Sequence, residues 1–110
     1  MPRDTNDLLH GTLDVLVLKT LSWGPMHGYS ITQHIEQRAR GDLEIVDAAL
    51  YKALHRLETA GAVTSEWGRS DNNRKAKYYS LTARGRALLR AETDTWRRFA
   101  GAVSRVLETT

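Results

Sequence analysis

The sequence predicts a mainly α-helical domain that carries one small β-hairpin. Three observations point there. The first half of the chain holds three runs whose apolar residues recur at helical spacing, separated by turn-forming clusters. Two short runs rich in Val, Thr, Trp and Tyr follow, with an Asp-Asn-Asn cluster between them. A final run keeps an apolar rhythm of four and three almost to the last residue.

Each element has its own justification. Residues 7–22 read as a first helix, with Leu9, Leu13, Leu16, Val17 and Leu21 on one face. The stretch "WGPMHG" (23–28) combines one Pro with two Gly and reads as a turn. Residues 28–39 read as a second helix facing inward with Ile31, Ile35 and Ala39, and Gly41 ends it. Asp47 is a good N-cap for a third helix running to about Ala60. Its core stripe is Leu50, Leu54 and Leu57, and Gly61 stands at the usual C-cap position.

The strands are "AVTSEW" (62–67) and "AKYYSL" (76–81), joined across "GRSDNNRK". Thr82 caps the last helix. Three helices, a hairpin and a long helix make a winged helix-turn-helix with a C-terminal dimerisation helix. Residues 1–81 form the expected DNA-binding part and residues 82–110 the dimerisation helix, within one compact domain.

Composition narrows the function. The chain has 110 residues, one domain's worth, and no cysteine, which excludes disulfides, thiol nucleophiles and cysteine-built zinc sites. Apolar residues at 41% and charged residues at 26% suit a folded chain rather than a disordered one. The longest apolar cluster, "LDVLVL" from Leu13, is too short to span a bilayer, so the expectation is a soluble cytoplasmic protein with no membrane partner. The net charge of +3 is unevenly placed. Residues 1–68 hold 6 basic and 9 acidic side chains, whereas residues 69–98 hold 9 basic and 3 acidic. A local basic zone suggests a docked polyanion, although a solvated helix face would look much the same.

The third helix has the makings of a reading head. With Leu50 at the centre of its buried face, Ala48, Lys52, His55 and Thr59 fall opposite at 100° per residue, and Tyr51 and Arg56 flank them. Small Ala48 and Ala49 keep the first turn slim enough to approach base edges in a major groove, and long donors follow. Tyr29 and Ser30 open the second helix, whose N-terminus attracts phosphate. Arg69, Arg74, Lys75 and Lys77 surround the hairpin tip, a cationic finger of the kind that phosphates reward. Tyr78 and Tyr79 point to opposite faces; Tyr79, which shares a face with Leu81, is the expected core member.

The final helix presents Leu89, Glu92, Trp96, Phe99, Val103 and Val106 in alternating steps of three and four, a seam with one polar break. So much apolar surface suggests pairing with the same helix, or with the first helix, of a second chain. Leu9 and Leu13 belong to the same expected interface.

These residues also carry a family resemblance. "LLHGTLDVLVLKTLSWGPMHGYSITQHIE", "ALYKALHRLETAGAV" and "RKAKYYSLTARGRALL" resemble, in that order, the opening, recognition helix and wing of PadR-family bacterial transcriptional regulators, over about residues 8–107. With one C-terminal helix the chain is similar to the small subfamily. The resemblance implies a homodimeric repressor of a palindromic operator, released by a phenolic or planar hydrophobic effector. Where the family usually has proline after the tyrosine of "LY", this chain has Lys52, an added donor on the reading face. In multidrug-sensing small members a tryptophan of the last helix stacks on flat ligands; Trp96 stands at that position, and seam packing is its competing role.

Two other function classes stand beside this one. A winged helix can serve as a protein-interaction module without sequence-specific DNA binding, but the cationic wing argues otherwise. An enzyme is not expected. The histidines His10, His27, His34 and His55 form no metal motif, and there is no phosphate loop, nucleophile elbow or paired-carboxylate motif. No cofactor is expected.

Overall fold

The structure is a computed structural model and describes residues 12–110. Its elements, in chain order, are α1 (Leu13–Leu21), β1 (Met26–His27), α2 (Gly28–Arg38), α3 (Asp47–Thr59), β2 (Val63–Arg69), β3 (Lys75–Leu81) and α4 (Ala83–Glu108). This is the winged helix-turn-helix that the sequence predicts, with a long terminal helix. The beginning of the expected first helix, including Leu9, lies outside the described residues.

The core forms where the three short helices meet the root of the hairpin. Leu13, Val17, Leu18 and Leu21 of α1 pack with Ile31 and Ile35 of α2, with Leu50, Ala53, Leu54 and Leu57 of α3, and with Val63 and Tyr79 of the sheet. Helices of 9 to 13 residues are marginal in isolation. Each fully buried leucine contributes about 1.5–3 kcal/mol, so this shared cluster holds them. Leu13 is only 6% exposed and belongs to this chain's own core, which leaves it little surface for the dimer seam to which its spacing assigned it.

Two boundaries differ from expectation. Asp47 is the first residue of α3 rather than its cap; Val46 occupies the cap position and makes no side-chain cap bond. Asp47 still favours the helix from there, because its charge sits in the positive first turn. The "WGPMHG" turn also contains a strand. Met26 and His27 pair antiparallel with Tyr79 and Tyr78, giving a three-stranded sheet of order β1-β3-β2. Two residues are too few to show period-two patterning. They are recruited because the second edge of β3 needs hydrogen-bond partners.

Two junctions fix how α4 and the hairpin leave the core. α3 ends with Gly61 at φ +76, while Gly61 N–H donates to the Glu58 carbonyl at 3.0 Å and Ala62 N–H to the Leu57 carbonyl at 2.8 Å. That is the paired closure for which glycine is suited. Thr82 then caps α4 as expected: its hydroxyl accepts from Gly85 N–H at 3.0 Å and donates to the Gly61 carbonyl at 2.7 Å. A Cβ on Gly85 would collide with the Ala62 carbonyl oxygen and lie 2.7 Å from Leu81 Cδ1, so α4 lies directly against the α3–β2 connection.

Candidate nucleic-acid interface

The outer face of α3 is open. Ala48, Ala49, Tyr51, Lys52, His55 and Arg56 are all exposed, while Leu50, Ala53, Leu54 and Leu57 are buried behind them. Ala48, Tyr51, Lys52, His55 and Arg56 line one shallow depression of about 440 Å³. Arg56 is engaged within the chain: its guanidinium donates to Asp14 of α1 at 2.7 Å, tying α3 to α1. The pair is solvent-exposed, so it is worth about 1 kcal/mol or less.

Beside this face lies a larger cleft of about 980 Å³. One wall is the start of α2, with Gly28, Tyr29, Ser30 and Gln33; the other is the wing, with Trp67, Arg74, Lys75 and Lys77. Tyr51 lines both hollows and joins the α3 face to the cleft. The fold thus gathers ten of the eleven sequence-assigned DNA-binding residues on these two hollows, which meet at Tyr51. Ala49 completes the set, exposed on the first turn of α3.

Local contacts explain this arrangement. His27 is the N-cap of α2, its Nδ1 accepting from Ser30 N–H at 3.2 Å. Its ring also meets Tyr78 edge to face, with centroids 5.3 Å apart. Tyr78 is therefore half-buried rather than outward-reaching, and its hydroxyl donates to the Arg69 carbonyl at 2.9 Å. Gly28 lies against Tyr51; a Cβ there would come 2.5 Å from the Tyr51 hydroxyl oxygen, so the tyrosine would have to shift. Tyr29 is 69% exposed, and its hydroxyl accepts from Gln33 Nε2 at 3.1 Å. A helix N-terminus carries a partial positive charge, so this wall favours an anion.

At the wing tip, Ser70 N–H donates to the Arg74 carbonyl and Asn73 N–H to the Ser70 carbonyl, both at 2.8 Å. Asn73 adopts φ +60, which asparagine tolerates better than most residues. Sequence reasoning did not select Trp67, His27 or Gln33 as members of this surface. Trp67 could have been found, since it shares a strand face with Arg69 and is directly opposite Lys77.

A separate apolar groove of about 600 Å³ runs between α1 and α4. Val15, Leu16, Leu43, Trp96, Phe99 and Val103 line it. From Arg90 onward no residue of α4 is buried, and Trp96, Phe99, Val106 and Leu107 all stand exposed. Glu92 is exposed too, whereas Leu89 is half-buried against the chain's own core. Among the described residues, no group of three or more His, Asp or Glu could hold a metal ion, and no helix is long and apolar enough to cross a membrane.

A tri-helical core, an open third helix and a basic wing define a winged-helix protein of the DNA-binding class. Comparisons with known proteins narrow the class. The model of the transcriptional regulator PadR-like family matches residues 17–91. A PadR-family transcriptional regulator from Eggerthella lenta has a similar structure, with TM-score 0.80 and 31% identity, covering 96% of this chain and 90% of that one. A transcriptional regulator from Clostridium thermocellum aligns with TM-score 0.81 and 25% identity, over 90% of this chain and 96% of that one. An uncharacterised protein of Lysinibacillus sphaericus is 31% identical over 91 residues, which is 83% of this chain and 84% of that protein. The chain belongs to the PadR-like family of transcriptional regulators, proteins that act by binding DNA and are not enzymes.

Proposed function

We propose that the protein is a homodimeric repressor of a palindromic operator, released when a small planar hydrophobic or phenolic molecule binds at the dimer seam. One observation carries this reading: the cationic cleft and the apolar groove are separate surfaces that share no lining residue. The first suits a polyanion and the second a second copy of the chain.

In this reading Ala48 and Ala49 let α3 approach base edges, and Lys52 and His55 read them. Tyr29, Ser30, Arg74, Lys75 and Lys77 hold phosphates, with Tyr51 between the two groups. Arg56 joins them by exchanging Asp14 for a phosphate. Trp96, Phe99, Val103 and Val106 meet the partner's groove, and Leu89 and Glu92 border that seam. A two-fold pair then offers two reading heads to two half-sites. Trp96, 46% exposed in the groove, is the surface on which a flat effector stacks.

Mobility shifts with the duplex upstream of the chain's own gene, alongside a scrambled duplex, test the reading. Preference for the first duplex, weakening as salt rises, supports it. Equal affinity for both, or a monomer at micromolar concentration in sedimentation, overturns the specific dimeric form. Planar dyes that release DNA from the native protein but not from Trp96→Leu support the effector role.

A further inference from the structure

The wing carries one large aromatic residue that the reading above leaves unused. Trp67 lies in β2 directly opposite Lys77 of β3, and Arg69 lies opposite Lys75. Side chains alternate along a strand, so Trp67 and Arg69 share a face with Val63, and Lys75 and Lys77 share one with Tyr79. Val63 and Tyr79 are buried against the helices. This sheet face is therefore the inner one. At its root it closes the core; towards the tip it continues past the helices and lines the cleft opposite Tyr29, Ser30 and Tyr51.

Along that continuation Trp67 is 62% exposed, although its neighbours are charged or polar. The Lys75 ammonium lies over the ring, 4.8 Å from its centroid, across the strand diagonal. The Lys77 ammonium instead lies towards the Tyr79 ring at 5.8 Å. Trp67 and Lys75 thus form one unit, an apolar plate with a cation on it, on the wall of the cleft. That cleft also offers Arg74, Lys77 and the hydroxyl groups of Tyr29, Ser30 and Tyr51, with the Asp71 carboxylate at the tip as its one acidic group among the described residues.

A DNA backbone presents matching chemistry, with anionic phosphates alternating with the largely apolar faces of deoxyribose. We infer that Trp67 is a DNA-contacting residue of the wing. Its indole packs on deoxyribose while Lys75, steered by the ring, meets the adjoining phosphate. The contact rests on the DNA-binding reading of the cleft and adds a component to it. Arginine and lysine contacts release counterions and fade with salt, whereas burial of an indole on a sugar releases none. Both deoxyribose and phosphate are common to every sequence, so the contact strengthens binding without selecting a site.

The test is fluorescence anisotropy with labelled duplexes, one from upstream of the chain's own gene and one scrambled, titrated with the full chain at several salt concentrations. Circular dichroism and thermal melting establish that each variant is folded. Trp67→Ala is expected to weaken both duplexes about tenfold, by a similar factor at every salt concentration. Trp67→Phe, which keeps an aromatic face, is expected to recover most of the loss. Lys75→Ala is expected to reduce the salt slope by about 0.9, the signature of one phosphate contact. Native-like affinity in a folded Trp67→Ala variant overturns the inference while leaving the DNA-binding reading intact. A loss confined to one duplex overturns the sugar contact in favour of base reading. Failure of the native protein to bind either duplex overturns both readings together.

Discussion

Single atoms decide several features of this molecule. At Gly85 a methyl group would strike the Ala62 carbonyl, and the helix that follows cannot yield without dragging its cap, Thr82, off Gly61. Gly85→Ala is expected to cost about 1–3 kcal/mol, read from urea denaturation. Removing the cap hydroxyl in Thr82→Ala should cost about 1 kcal/mol by the same measurement. Tyr79 adds a pH dependence. Burial, then the Glu58 carboxylate and Tyr51, raise its phenol above the ordinary tyrosine value. Below about pH 10 the folded and unfolded chains both keep this proton, and the contribution is whole. As pH rises further the unfolded chain ionises first, so stability falls. Between pH 8 and pH 10.5, Tyr79→Phe should therefore lose less stability than the native chain.

At the scale of elements, α3 serves two surfaces with one period. Its leucine stripe is buried, and the residues opposite form the open face. The two faces should respond differently to mutation. Leu54→Ala removes a side chain that is 1% exposed and should cost about 2–5 kcal/mol in thermal or urea unfolding. Lys52→Ala touches no core contact, so it should leave the melting temperature unchanged and alter preference among duplex sequences in a binding selection. The wing divides in the same way. Its root is core, and its outer half is a cationic wall carrying Trp67.

For the whole molecule, the informative feature is the mismatch between the core and α4. The helix spans 26 residues, about 39 Å, but only its first turns reach the core. The remainder and α1 frame an apolar groove lined by Val15, Leu16, Trp96, Phe99 and Val103. In the proposed dimer a second copy would cover that groove and bury the large apolar side chains that α4 leaves on the surface. Replacing Phe99, 67% exposed, with Asp should weaken association by tenfold or more in sedimentation, with little effect on helical content. If the proposed dimer binds two half-sites, the same change should also weaken DNA binding, because the two reading heads would no longer be held together.

The chain by itself determined the order of the elements, their approximate limits and the buried stripes. These follow from local rules: apolar periods of 3.6 or 2, glycine where a helix must end, and threonine where one must begin. Leu50, Leu54 and Leu57, Gly61 and Thr82 all stand where those rules place them. Period alone could not say which apolar residues face inward and which face outward across a seam, so Leu13 was legible as apolar but not as core. Nor could it reveal β1, whose two residues become a strand only because β3 offers an edge, or the engagement of Arg56 by Asp14, 42 positions away. The cleft was likewise hidden. Tyr29, Tyr51 and Trp67 are distant in sequence and meet only once the wing has folded back beside α2. Residue types and periods are properties of a segment, whereas a surface belongs to segments brought together, and only the tertiary structure decides which ones meet.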